Sequence, residues 1–191
     1  MTRSTPPRAL FSAFLLFCLS ASATSMLRVD LPELSRSADV IVHGTVRRVE
    51  SRWSGDGRLI VTDVELQVTE ALKGEASGTL VITQPGGRVG DIGQRVSGLA
   101  TFTPSEEVVV FLERQGGRDF RVAGLAQGKY SVQRTPGREG KVEAMAVPEV
   151  TSETLLVDAT THEPTTSSRR TLPLAELKTA IRAALAREPG R

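Results

Sequence analysis

The chain has 191 residues, with 24 Lys or Arg, 22 Asp or Glu, a single cysteine and no asparagine. Without asparagine it has no acceptor for N-glycosylation and no Cys-His-Asn catalytic set. Its length suits one domain with a sizeable hydrophobic core.

The first 23 residues have the pattern of a secretory signal peptide. Arg3 and Arg8 give a positive start, and residues 9–20 form an apolar run that is short for a bilayer span. Residues 21–23 read Ala-Ser-Ala, which is typical of a signal peptidase site. We therefore expect cleavage after Ala23 and a mature protein that is secreted or periplasmic.

Removal of this leader changes the charge and the cysteine content. Arg3 and Arg8 leave with it, so that 22 basic side chains face 22 acidic ones in the remaining 168 residues. A balanced charge argues against nucleic acid as a partner. No stretch after residue 23 is apolar for long enough to be a transmembrane helix, so we expect no stable membrane insertion after cleavage. Cys18 also leaves, so the mature chain is expected to be free of disulfides. Lipidation of Cys18 remains a minor alternative, since the bulky Phe17 precedes it.

The next residues predict a short helix and a long hairpin. Apolar residues at helical spacing, together with Pro32, predict a helix over residues 32–38. Residues 40–46 alternate as a strand, and the alternation breaks at Arg47, which indicates a bulge. Residues 60–69 alternate strictly and predict a half-buried antiparallel strand.

The middle of the chain predicts further strands joined by turns. Strands are expected at residues 79–82, 107–112, 120–123, 129–133 and 141–147. The segment 107–112 is apolar on both faces and is expected to be central. Short strands separated by Gly and Pro turns are typical of a small barrel or sandwich. We assign residues 24–150 to this β domain and its leading helix.

The C-terminal part predicts a linker followed by a helix. Residues 151–172 are largely polar and rich in Thr and Ser, as in a linker. Residues 173–188 begin with Pro173 and repeat apolar side chains at helical spacing. This predicts an amphipathic helix that packs on the barrel.

Three stretches carry a family resemblance: ADVIVHGTV at 38–46, TDVELQVTEALKG at 62–74 and PSEEVVVFL at 104–112. They resemble the netrin-like or tissue-inhibitor-of-metalloproteinase type of OB barrel. The chain is also similar to secreted bacterial proteins of unassigned function that share QPGGRVGDIGQRVSG (84–98), the following FTPSEEVVVFL, and AQGKY (126–130). The resemblance implies a mainly β fold with a small antiparallel OB-like barrel.

The inhibitory mechanism of that family does not carry over with the fold. Those inhibitors reach the protease zinc through an amino-terminal cysteine, and disulfides brace their barrel. The expected mature start of this chain is Thr24, and no cysteine follows it. The resemblance therefore implies the architecture alone.

The two histidines give little support to catalysis or metal binding. His43 falls on the strand face opposite Val40 and Val42, where we expect exposure, and His162 falls in the predicted linker, where we expect solvation. No HExxH, CxxC or GxSxG motif occurs, so we predict no catalytic residue, no metal site and no cofactor.

The glycine-rich stretch 86–98 is the first place to look for a ligand surface. A long flexible connection is the simpler interpretation, and an anion-binding nest of backbone amides is the sharper one. Long loops on rigid barrels often carry binding. The tentative binding residues are Arg88, Asp91, Gln94 and Arg95.

These observations favour a non-enzymatic function. We expect a secreted interaction domain that contacts a protein or cell-envelope component through its loops. Two alternatives stay open: a protease-inhibitor-like protein, suggested by the fold resemblance, and a hydrolase with an unrecognised site that involves His43.

Overall fold

The structure is a computed structural model that describes residues 26–116, 119–136, 141–150 and 155–187. The expected signal peptide, Cys18 and the beginning of the predicted linker, residues 151–154, lie outside the described residues.

The fold is mainly β, as predicted. Two α-helices are described, α1 (Leu31–Ser37) and α2 (Leu174–Ala186). The strands, in chain order, are β1 (Met26–Leu27), β2 (Val40–Trp53), β3 (Ile60–Lys73), β4 (Thr79–Pro85), β5 (Gly87–Val89), β6 (Ile92–Gln94), β7 (Glu107–Arg114), β8 (Asp119–Val122), β9 (Lys129–Pro136), β10 (Val142–Pro148), β11 (Leu155–Val157), β12 (Pro164–Thr166) and β13 (Leu172–Pro173).

Five of these strands pair in a closed ring. The order is β2, β3, β4, β8, β7 and back to β2, and every pair is antiparallel except β4 with β8. The register of β2 on β3 shifts between Val46 and Arg48, where the sequence predicted a bulge. At Gly44 a side chain would stand 2.4 Å from the carbonyl oxygen of Gln67, so only glycine lets the two strands approach this closely.

Strand β7 belongs to two parts of the sheet. One edge pairs with β2, and the other is divided between β9, along residues 108–110, and β8, along residues 112–114. Strands β9, β10 and β13 continue the sheet outward from this point. The predicted pairing of residues 129–133 with 141–147 is present in β9 and β10.

Successive side chains along these strands point to opposite faces of the sheet and fill a separate hydrophobic core on each face. One core lies inside the ring and consists of Val40, Val42, Val46, Val64, Leu66, Ile82, Ala100, Val108, Val110, Leu112, Phe120 and Val122. The other lies between the sheet and the helices and consists of Leu34, Ala38, Ile41, Val109, Phe111, Ala123, Tyr130, Val132, Ala146, Leu174, Leu177 and Ile181. β7 is buried on both faces, as its sequence predicted.

Both predicted helices are present. Pro32 lies in the first turn of α1, where the missing amide hydrogen costs no helical bond. The apolar stripe of α2 is formed by Leu174, Leu177, Ile181 and Ala184, all of which are buried.

Two stretches contain more regular structure than their composition predicted. The segment predicted as a linker holds β11, β12 and β13, and β11 also pairs with β1 in a small separate sheet. The glycine-rich stretch holds the β5–β6 hairpin. His162 is exposed, as expected.

Candidate functional site

The glycine-rich stretch folds back onto the hairpin formed by β2 and β3. Gly87 has a φ of +130°, and a side chain there would stand 2.2 Å from Ser51 Oγ and 2.4 Å from Thr62 Oγ1. The backbone of this segment therefore lies directly on two hydroxyl groups of the sheet, an approach that requires glycine.

Hydrogen bonds fix this segment at both of its ends. Gln94 Oε1 accepts from the backbone N–H of Ile60 at 2.9 Å. The backbone N–H of Gly86 donates to the carbonyl of Ile60 at 2.8 Å, and the Thr62 hydroxyl donates to the carbonyl of Gly86 at 2.7 Å. The segment thus forms a hydrogen-bonded wall that contains a hairpin.

A groove of about 510 Å³ lies between this segment and the sheet. We call it the loop groove. Clefts that bind ligands have volumes of roughly 300 to 1,000 Å³. It is lined by Val49, Thr62, Val64, Gln84, Pro85, Gly86, Gly87, Gln94, Arg95, Val96, Ser97, Gly98, Leu99, Ala100, Thr101 and Phe102.

Gln84 places an unused acceptor beside the loop groove. Its Nε2 donates to the carbonyl of Ala100 at 2.8 Å. Its Oε1 is buried and has no hydrogen-bond partner within the described part of the chain. A buried acceptor without a donor costs about 1 to 3 kcal/mol, and its burial also keeps this oxygen out of reach of a ligand in the groove.

The four tentative binding residues divide into two pairs. Gln94 and Arg95 line the loop groove. Arg88 and Asp91 are exposed on the β5–β6 hairpin, and Arg88 Nε donates to the carbonyl of Gly90 at 3.0 Å. The structure therefore brings two of the four to the groove and leaves the other two at the hairpin tip.

Four apolar side chains are exposed in or near the elements that form the groove. They are Trp53, Leu59, Ile92 and Val96, which we call the apolar rim. Trp53 pairs with Ile60 across β2 and β3, Leu59 precedes Ile60, Ile92 lies on β6, and Val96 lines the loop groove. Val96 therefore contributes exposed apolar surface to the groove itself, as is typical of interaction sites.

His43 is buried, which corrects the expectation that it is exposed. It does point away from Val40 and Val42, but α2 covers that face of the sheet. Its Nε2 lies 2.7 Å from Glu107 Oε1, and its Nδ1 lies 3.1 Å from Lys178 Nζ. Because an ammonium group can only donate, Nδ1 accepts and Nε2–H donates to the carboxylate.

His43 is the centre of a charged network that joins four strands to α2. Arg134 donates to Glu107 at 2.7 and 2.8 Å, which, with the bond from His43, holds the pKa of that carboxyl below its usual value. Lys178 and Arg182 each donate to Glu70 at 2.6 Å, and the Lys178 hydrogen bond is the main cause of the lowered pKa of Glu70. Both ring nitrogens of His43 are therefore occupied.

A second cluster surrounds Lys129, whose burial the sequence did not predict. Its ammonium group lies 2.7 Å from Glu106 Oε1 and 3.0 Å from Glu149 Oε2, and only 2% of its side chain is exposed. It also lies 5.1 Å from the centre of the Phe102 ring. Glu149 further accepts from the Thr101 hydroxyl at 2.6 Å, so the cluster ties the end of the groove wall to β9 and β10.

Among the described residues, no group of three or more His, Cys, Asp or Glu side chains is placed to hold a metal ion. Within the same ranges, neither helix has the length and apolar character needed to cross a membrane. Comparisons with protein-family models, curated proteins and solved structures found no match to the chain.

Proposed function

We propose that this protein is a non-enzymatic interaction domain that binds a protein or cell-envelope component at the loop groove. The observation that carries the proposal is a groove of about 510 Å³ whose wall is hydrogen-bonded to the sheet and whose lining includes the exposed side chains of Arg95 and Val96. Gln94 and Arg95 supply polar groups there. The groove thus combines apolar surface with a few polar groups, as a binding site does.

We also propose that the five-stranded ring is an OB-like barrel that serves as the rigid support for this groove. Three features support the proposal. They are the strand order β2, β3, β4, β8, β7, the single parallel pair between β4 and β8, and the bulge in β2, the first strand of the ring. Barrels of this kind bind ligands through surface strands and loops.

The occupied ring of His43 favours binding over hydrolysis. A general base needs a free nitrogen within hydrogen-bond reach of the substrate proton. His43 Nδ1 receives Lys178 and Nε2 donates to Glu107, while α2 covers the residue. This arrangement fits a histidine that fastens a helix to a sheet.

Site-directed photo-crosslinking in the producing cells tests the binding proposal. A benzophenone amino acid is placed at Trp53 or at Ile92, both on the apolar rim, and the crosslinked products are identified by mass spectrometry. Val142 is a matched control, because it is an exposed apolar residue on β10, outside both the groove lining and the apolar rim.

The proposal expects one discrete adduct, the same from both rim positions and absent from Val142. The same adduct pattern from all three positions, or no adduct from the rim, would contradict it. If the adduct is a peptidase and the purified protein suppresses its activity, the result would favour the inhibitor-like alternative.

Export is a separate proposal with its own test. The leader pattern of residues 1–23 supports a secreted or periplasmic location. Fractionation and N-terminal sequencing of the mature protein are expected to find it outside the cytoplasm, starting at Thr24. A cytoplasmic protein that retains residue 1 would contradict this.

A further inference from the structure

The outer edge of β10 is only partly covered. β13 pairs with this edge at Met145 and Ala146, and the chain then turns into α2. Residues 142–144 therefore have no neighbouring strand on that side within the described part of the chain. An open strand edge of this kind can pair with a further strand.

The register of β10 on β9 fixes which backbone groups of this edge face outward. In that antiparallel register Glu149 lies opposite Lys129, and the N–H of Glu149 donates to the carbonyl of Lys129 at 3.1 Å. Hydrogen-bonded positions of this kind alternate with positions whose N–H and C=O point to the other side. The odd-numbered residues of β10 thus bond to β9, and Val142 and Ala144 present their backbone groups outward.

The side chains along the open edge are also accessible. Val142 is 64% exposed, more than any other large apolar side chain that the structure describes. Lys141 and Glu143, on either side of it, are exposed as well. A cavity of about 520 Å³ separates residues 143–145 from the first turn of α2, so the helix leaves room beside the strand.

We propose that β10 pairs with β10 of a second copy of this chain, antiparallel about a two-fold axis at Val142. The two Val142 residues then face each other, and their N–H and C=O groups form two hydrogen bonds across the axis. Lys141 of each copy lies opposite Glu143 of the other. The exposed valine is covered, and each charge gains a partner of opposite sign.

Charge complementarity selects a second copy as the occupant. The sequence Lys141-Val142-Glu143 is its own complement when it is read antiparallel, because the lysine of one strand meets the glutamate of the other. A two-fold contact requires a surface that complements itself in this way. Charges on an open edge prevent pairing when like charges meet, and in this register opposite charges meet.

The next register along the edge fits less well. It would place the two Glu143 carboxylates opposite each other, and like charges in that position are destabilising. It would also bring Lys141 opposite Met145, where Pro173 already pairs. The position of β13 and the charge pattern therefore favour the same register, centred on Val142.

Charge-swap variants test the pairing. Analytical ultracentrifugation of the purified protein should show a monomer–dimer equilibrium, weak because the contact is narrow. Lys141→Glu and Glu143→Lys each bring like charges together at two positions and should each weaken the dimer about tenfold. An equimolar mixture of the two variants should associate about as tightly as the native protein, because every carboxylate then faces an ammonium group.

Two further variants complete the test. Val142→Pro removes the outward N–H without removing a bond to β9, and should abolish the dimer while circular dichroism shows a retained fold. Arg88→Glu is the matched control, since it reverses an exposed charge on β5, away from this edge, and should leave the dissociation constant unchanged.

Three results would overturn the proposal. They are a native protein that stays monomeric at every concentration reached, charge variants that dimerise as the native protein does, and a mixture that associates no better than its components. The charge variants alter only exposed side chains, so they decide the question even if Val142→Pro does not fold. The contact lies outside the loop groove, so none of these results bears on the proposed function.

Discussion

Lys178 of α2 places its ammonium group 3.1 Å from Nδ1 of His43 on β2 and 2.6 Å from Glu70 on β3. A helix residue thus donates to two neighbouring strands at once. Beneath it, Leu177 and Ile181 are fully buried against the sheet. Apolar packing and a polar connection therefore hold α2 in one position and orientation.

Removal of this connection is expected to loosen α2. Lys178→Met leaves His43 Nδ1 without a donor and should lower the free energy of unfolding by about 1 to 3 kcal/mol. Denaturant unfolding measures the loss, and hydrogen exchange should show faster exchange of the α2 amides. Lys141→Met is the matched control, because Lys141 is exposed, and should change stability by less than about 0.5 kcal/mol. Equal effects of the two substitutions would contradict the assigned role.

Lys129→Met is expected to be more damaging than Lys178→Met. It leaves the carboxylates of Glu106 and Glu149 without their shared buried cation, and removing one partner of a buried pair costs roughly 3 to 5 kcal/mol. The measurement is the denaturant midpoint of unfolding. A variant that also carries Glu106→Gln and Glu149→Gln should recover part of the loss, since no carboxylate then stays unpaired. No recovery would contradict the assigned role of the ammonium group as the shared partner of the two carboxylates.

A methyl group at Gly87 is expected to displace the groove wall. Gly87→Ala places a carbon onto Ser51 Oγ and Thr62 Oγ1 and forces alanine into a backbone conformation that it rarely adopts. We expect a loss of about 1 to 3 kcal/mol in unfolding free energy. Gly93→Ala is the control, since its added methyl group meets only one backbone atom, at 4.0 Å. Similar losses at the two glycines would be inconsistent with the observed close approach.

The lowered pKa of Glu107 predicts a specific dependence of stability on pH. A carboxyl whose pKa falls on folding stabilises the fold fully above its unfolded value of about 4.3, and this contribution is lost as the pH falls through the lower folded value. Glu107→Gln should therefore destabilise the protein at pH 7, and the difference from the native protein should shrink below about pH 4. Unfolding titrations between pH 7 and pH 3 measure this difference.

Glu163→Gln is the control for the pH series, because Glu163 is exposed and remote from the His43 network in sequence. Its difference from the native protein should stay small throughout. A Glu107→Gln difference that is constant from pH 7 to pH 3 would mean that the ionised form of this carboxyl does not contribute to stability.

The strands could be predicted because their side chains alternate or are apolar on both faces. The alternation along β3 and the doubly apolar segment of β7 are local properties, and both appear as predicted. The bulge after Val46 was also visible as a break in parity. These features depend on neighbouring residues alone and require no knowledge of the tertiary structure.

The features of the candidate site depended on distant parts of the chain and were less predictable. The parity of His43 was correct, but its burial is caused by α2, more than 130 residues away. Lysine in a strand is usually exposed, and nothing local to Lys129 indicates that Glu106 and Glu149 meet it. The high glycine content of residues 87–94 does not predict strands. The β5–β6 hairpin is positioned by the close approach of the Gly87 backbone to Ser51 and Thr62. Gln84 had no signal in the sequence, because its missing donor is a property of the folded chain.

The division of one β7 edge between β8 and β9 has a mechanical consequence. Pulling the ring apart requires β7 to leave its partners, and those partners include the strand from which the outer sheet and its covering helix extend. Each half therefore stabilises the other through β7, because release of either β8 or β9 exposes part of the same strand edge to solvent.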